Sequence, residues 1–199
     1  DSSLTFFEDF EECFGKYQYH TGKEWLGVDL AGSGIDETIV TKINEANEVY
    51  QYKITGTLDM KYKKIADIIN QSNAVAVYLE NNGLGSPMIN EIKKLVLHKS
   101  KIYEWNTSNS SKEEIISRLA VVIANKEIFF NDLDTELYSQ FGTFISKISK
   151  SKKLTFGAQE GNHDDRIMSL AIALRCKDDF RYSGQNNNNF VRSNIKLFA

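Results

Sequence analysis

Four carboxylates fall where an acid is hard to explain by solubility alone. Asp29 lies in Trp25-Leu26-Gly27-Val28-Asp29-Leu30, among side chains that belong in a core. Glu80 ends a second apolar run, Ala74-Val75-Ala76-Val77-Tyr78-Leu79. Asp164 and Asp165 come just before Ile167, Leu170, Ala171 and Leu174, which are spaced like a buried helical stripe. An ionised carboxylate inside an apolar run is costly unless it is paired, hydrogen-bonded or bound to a metal. Clustered carboxylates repel one another, and divalent cations relieve that repulsion. Hard oxygen ligands suit Mg2+ or Mn2+. Two such ions ~4 Å apart can activate a water and stabilise the leaving oxygen of a phosphodiester. Capping competes as an explanation for Asp164-Asp165, because the first turn of a helix favours acids.

The elements that carry these acids read as an α/β protein. Residues 24–31 form a short strand, broken by the glycine-bearing turn Gly32-Ser33-Gly34. Thr38 to Ile43 and Val49 to Thr55 alternate like two further strands. Lys61 to Asn70 sets Ile65, Ile68 and Ile69 on one helical face, and the continuous run 74–80 suits a central strand covered on both sides. Ser86-Pro87 opens a helix, with serine at the cap and proline in the first turn. Ile102 to Trp105 is a strand, and Ser111-Lys112-Glu113-Glu114 has capping-box spacing at the start of the next helix. Ile128 to Phe130 is a short extended piece. A helix opened by Asp132 is expected to carry Leu133, Leu137, Phe141, Phe144, Ile145 and Ile148 on one face. Leu154 to Gly157 reads as a strand or hairpin arm. A meander followed by alternating strands and helices makes a mixed sheet. Strand 24–31 should then lie beside strand 74–80, with the Asp29 and Glu80 carboxylates within about 8 Å if they share metal ions. Phe6, Phe7, Phe10 and Phe14 suggest a short amphipathic helix used for packing, and Asn186 to Asn189 a loop.

Composition narrows the chemistry. The 199 residues are 41% apolar and 12% aromatic, enough for a real core, and the net charge of −3 argues against a generally basic nucleic-acid coat. Cys13 and Cys176 follow no disulfide or zinc pattern, which suits a reducing compartment. No run reaches membrane-spanning length and no signal peptide is visible, so neither membrane insertion nor secretion is expected. There is no Walker-type phosphate loop and no Gly-x-Ser-x-Gly elbow.

Acids at the ends of the first and a central strand, followed by one at the start of a late helix, occur in the order found in ribonuclease H-like nucleases. More specifically, the chain resembles the C-terminal nuclease domain of the large terminase subunit of tailed bacteriophages. The likeness is carried by Gly27-Val28-Asp29 with Asp36, Val77-Tyr78-Leu79-Glu80-Asn81-Asn82-Gly83, Ser111 to Leu119, and His163-Asp164-Asp165 ahead of an apolar helix. It spans roughly residues 20 to 178. The resemblance implies a ribonuclease H-like mixed sheet flanked by helices, with a lead-in at 1–20, a nuclease domain at 21–180 and a tail at 181–199. It also implies a two-metal endonuclease (Mg2+ or Mn2+) that cuts double-stranded DNA concatemers in the cytoplasm of an infected bacterium. Asp29, Glu80 and one member of Asp164/Asp165 would be the metal-binding triad, and Asp36 a further acid nearby. Helical spacing slightly favours Asp164 for that role; the resemblance favours Asp165, leaving Asp164 to the helix start or a second ion. The implied partners are an ATPase motor domain earlier in the same polypeptide, the portal and the small terminase subunit.

Lys147, Lys150, Lys152 and Lys153 form a basic run that is either a solvated face or a phosphate-contacting arm beside the acids. His163 is read as a neighbour that orients or handles protons, or as a packing residue. Arg166 is expected to face solvent or a phosphate. The rival readings are another ribonuclease H-like enzyme, such as a resolvase or transposase core, and a non-catalytic docking module that kept the fold.

Overall fold

The computed structural model describes residues 5–17, 19–31, 37–81, 85–148 and 154–181. A 3-10 turn at Phe10–Cys13 leads into β1 (Phe14–Gly15), then β2 (Glu24–Asp29), β3 (Thr38–Asn44) and β4 (Val49–Ile54). Helix α1 (Leu58–Gln71) is opened by Thr57, whose hydroxyl accepts from the Met60 N–H, meeting one of the donors that a helix start leaves unpaired. Then come β5 (Ala74–Glu80), α2 (Gly85–Leu95), β6 (Ile102–Trp105), α3 (Asn109–Ala124), β7 (Phe130–Asn131), α4 (Thr135–Thr143), β8 (Phe144–Ile148), β9 (Leu154–Ala158) and α5 (Asp165–Phe180).

Five strands form one mixed sheet in the order β4-β3-β2-β5-β6. The β2/β3 and β3/β4 pairs are antiparallel, whereas β2/β5 and β5/β6 are parallel. Side chains alternate across a strand, so each sheet face collects its own core. Leu26, Val28, Val77 and Leu79 join Ile65, Ile69, Ile89 and Ile92 of α1 and α2 on one face. Trp25, Ala76 and Tyr78 join α3, α4 and α5 on the other. Phe7 and Phe10, read as part of a lead-in, are buried in that second core, and the Phe7 ring lies 5.0 Å from Phe141 and 5.2 Å from Phe144.

Three expectations need correcting. The helix thought to run from Asp132 past Phe144 is capped by Asp134 and ends at Thr143; Phe144–Ile148 is a strand that pairs with β9. Its apolar residues fit both periods. Gly142 and the β-branched Thr143 and Ile145 weaken the helical alternative there. Helix α3 starts earlier than read: Ser108 is its cap, and Ser111 is the return partner of that capping box. Ser86 lies inside α2 rather than capping it. The Asn186–Asn189 loop lies outside the described residues.

Candidate active site

The β2/β5 register sets Trp25 against Ala76, Gly27 against Tyr78 and Val28 against Leu79. Continued by one residue, it sets Asp29 beside Glu80 at the carboxyl ends of two parallel strands. Both point to the face covered by α5, because Gly27 and Tyr78, two residues back on their strands, face α5 as well. The Glu80 carboxyl is close enough to help raise the pKa of Asp29. The expectation that they are neighbours therefore holds.

Gly27 sets the height of α5 over the sheet. A Cβ there would lie 2.3 Å from the Ala173 nitrogen and 2.5 Å from the Ser169 carbonyl oxygen, a contact that only glycine permits. The buried Ser169 hydroxyl sits 3.0 Å from the Gly27 carbonyl, 3.1 Å from that of Ile39 and 2.7 Å from the Thr41 hydroxyl. Gln51 in turn donates to Thr41 at 2.8 Å, so the buried polar groups form a relay. From this anchor, two residues along β2 and one turn back along α5 are each a step on the order of 6 Å. The first step ends at Asp29 and the second at Asp165. Helix and strand run antiparallel, so both steps lead to the same end of the sheet.

The acids then differ in their surroundings. Asp165 and Glu80 are 9% and 6% exposed. Asp29 keeps some exposed surface as a residue, but protein encloses its carboxyl, which is pushed well above the usual carboxylate range. Burial is the main cause, followed by the hydrogen bond to Glu80 and the charges of Glu80, Asp165 and Asp164. Asp165 Oδ2 accepts from the Glu37 N–H at 3.3 Å and lies 3.5 Å from His163 Nδ1. Asp164 stands at the N-cap position of α5 but makes no side-chain cap bond; its Oδ2 pairs instead with Lys112 Nζ at 3.1 Å. Capping therefore does not account for Asp164. Thr107, ahead of α3, donates to Glu80.

Arg166 departs from its reading. It is 7% exposed, pairs with Asp134, the cap of α4, and with Glu136 in its first turn, and accepts through its carbonyl from Gln51 at 2.9 Å. Its backbone N–H goes to Gln140 at 2.9 Å. A buried guanidinium needs such partners, and with them it ties the start of α5 to α4 and β4. Lys147 lies exposed on β8, in a hairpin whose other arm brings Gly157 to the site: a Cβ there would meet Asp164 Oδ2 at 3.4 Å. Asp36, Lys150, Lys152 and Lys153 lie outside the described residues. Lys112, Thr107 and the Gly27–Ser169 seat are contacts that sequence reading missed. A glycine inside a strand and a serine inside an apolar helical run were the available signals.

Among the described residues, no three His, Cys, Asp or Glu side chains are already arranged to hold a metal ion. The structure has instead Asp29 set beside Glu80 at adjoining strand ends, with Asp165 and Asp164 close enough to act on Asp29 through charge. In donor chemistry this set fits a hard divalent cation: every donor is a carboxylate oxygen, and cationic charge would relieve the strain on Asp29.

No protein-family model matches the chain, and no curated protein sequence matches it. Solved structures do. The large terminase nuclease from thermophilic phage G20c, with bound magnesium, superposes with a TM-score of 0.73 at 17% identity, covering 85% of this chain and 95% of that one. The large terminase nuclease domain of Thermus phage P74-26 gives 0.61 at 17% identity over 75% and 77%. A large terminase from another thermophilic bacteriophage gives 0.63 at 12% identity; the match covers 87% of this chain but 44% of that one. The chain thus has a ribonuclease H-like α/β fold, the fold of phage large-terminase nuclease domains.

Proposed function

We propose that this chain is the nuclease part of a large terminase subunit, a divalent-metal-dependent endonuclease that cuts double-stranded DNA concatemers during viral genome packaging. The observation that carries the reading is the Asp29–Glu80 pair at adjoining strand ends, with Asp165 seated over it by α5. In this reading Asp29, Glu80 and Asp165 hold the metal, with Asp164 and Asp36 as further acids. Two ions, Mg2+ or Mn2+, would supply an activated water and positive charge for the leaving oxygen of the phosphodiester. The G20c nuclease has been crystallised with magnesium, with cobalt and with zinc, which supports a divalent cofactor.

The protein's own residues prepare that chemistry. Burial and neighbouring acids raise the pKa of Asp29, and a ligand carboxyl must be ionised, so metal loading competes with protons and weakens as pH falls. Thr107 orients Glu80, and the Glu37 N–H and His163 orient Asp165, in the way that outer partners fix metal ligands. Lys147 on the β8–β9 hairpin, together with Lys150, Lys152 and Lys153, would contact DNA phosphates beside Asp164. An ATPase motor would lie elsewhere in the polypeptide: the large terminase of which this chain covers 43% has been crystallised with ATP-γ-S. The portal and the small terminase subunit would be its other partners, in the cytoplasm of an infected bacterium.

The test is to incubate the chain with linear double-stranded DNA in Mg2+, in Mn2+ and in EDTA. Cutting in either metal and none in EDTA is expected. Intact DNA in both metals, with no metal-induced shift in thermal unfolding, would leave a docking module as the better description.

A further inference from the structure

The connection from β6 into α3 touches the acid cluster twice. Thr107 donates to Glu80, and five residues later Lys112 reaches Asp164 at 3.1 Å, across 52 positions of sequence. Lys112 lies in the first turn of a 16-residue helix, where the helix dipole disfavours a cation. The Ser108–Ser111 capping box already serves that helix start. The ion pair is partly buried, its side chains 25% and 27% exposed, so desolvation offsets part of its attraction. Helix electrostatics thus give no reason for a lysine here.

A reason appears once a substrate is considered. Resting on the nuclease reading above, the site must bring a polyanion against four carboxylates, in a chain whose net charge is −3. Such an approach is repelled unless a cation stands at the rim of the cluster. We propose that Lys112 is a substrate contact: its ammonium binds a DNA phosphate oxygen at the acid cluster, and Asp164 holds it in position until metal and DNA arrive. A carboxylate shared with a metal ion attracts the ammonium less, which frees Lys112 for the phosphate.

Counterion release supplies a readout that a structural role would not move. Each phosphate neutralised adds about 0.9 to the slope of log affinity against log salt. Duplex binding would be measured as a function of salt with all acids intact and Ca2+ in place of Mg2+, a larger hard cation that occupies carboxylate sites while limiting cutting. Lys112→Gln should lower that slope by about 0.9, and Lys112→Arg should restore it. Lys23→Gln is the control for bulk charge: Lys23 is 63% exposed and pairs with Glu45 at the opposite end of β2 from Asp29, so its removal should leave the slope unchanged. A slope unaltered by Lys112→Gln, or lowered equally by Lys23→Gln, overturns the proposal while leaving the nuclease reading in place. Failure of the parent chain to bind duplex even at low salt overturns the DNA reading, and the Lys112 contact with it.

Discussion

Asp164 and Asp165 are adjacent in sequence yet have different neighbours. Asp165 is enclosed, one turn before the Ser169 anchor, whereas Asp164 sits at the rim on Lys112. The charge of Asp165 also weighs more on Asp29 than that of Asp164. Single Asp→Asn changes keep size and remove charge. Asp165→Asn should lower the rate of duplex cleavage by more than about 100-fold, and Asp164→Asn by about 10- to 100-fold, as expected for an outer partner. The reverse order would exchange their roles. Sequence could identify these residues as a pair but could not rank them, because the ranking comes from α5 resting on β2 rather than from the stripe Ile167, Leu170, Ala171 and Leu174.

The seat of α5 is an element-scale property with two ends. At the acid end, Gly27 admits the helix backbone. Gly27→Ala drives a methyl into main-chain atoms that cannot turn aside, so a cost at or above the overpacking range of about 1–3 kcal/mol is expected in urea unfolding, with cleavage reduced as Asp165 moves. At the far end, Lys177 is buried and donates to the Asn44 carbonyl at 2.6 Å, the Glu45 carbonyl at 3.2 Å and Asn47 Oδ1. Burial lowers its pKa to about 8 from an ordinary 10.5. Between those values the unfolded chain binds the proton more tightly than the folded one, so stability should rise with pH through this window. Relative to Lys177→Met, the wild type should gain on the order of 2–3 kcal/mol between pH 7.5 and 10.5, measured by chemical unfolding. A flat difference would mean that the ammonium is better solvated than its burial implies. The continuous apolar run 74–80 and the short strand 102–105 were legible in sequence and are found as read. Phe144–Ile148 was not, because its apolar residues satisfy helix and strand alike and only pairing with β9 decides between them.

Over the whole molecule, a five-stranded sheet with a core on each face brings acids 136 positions apart to one end of the sheet. Their order along the chain was legible because strand-terminal acids in apolar runs are costly and therefore conspicuous. The cations and hydroxyls around them were not, since lysine and threonine are unremarkable in a loop or an exposed turn. A fold match at 17% identity does not by itself carry the chemistry, so the acids must be tested directly. The most direct measurement is cleavage of linear duplex DNA in Mg2+ by wild type and Asp29→Asn purified side by side, with thermal unfolding of both. Asn keeps the size of the side chain and removes a charge that burial and the neighbouring acids disfavour in the metal-free fold, so Asp29→Asn should unfold at or slightly above the wild-type temperature while its cutting falls to background. A well-folded Asp29→Asn protein that cuts at the wild-type rate would contradict the assignment of this acid cluster as a nuclease centre.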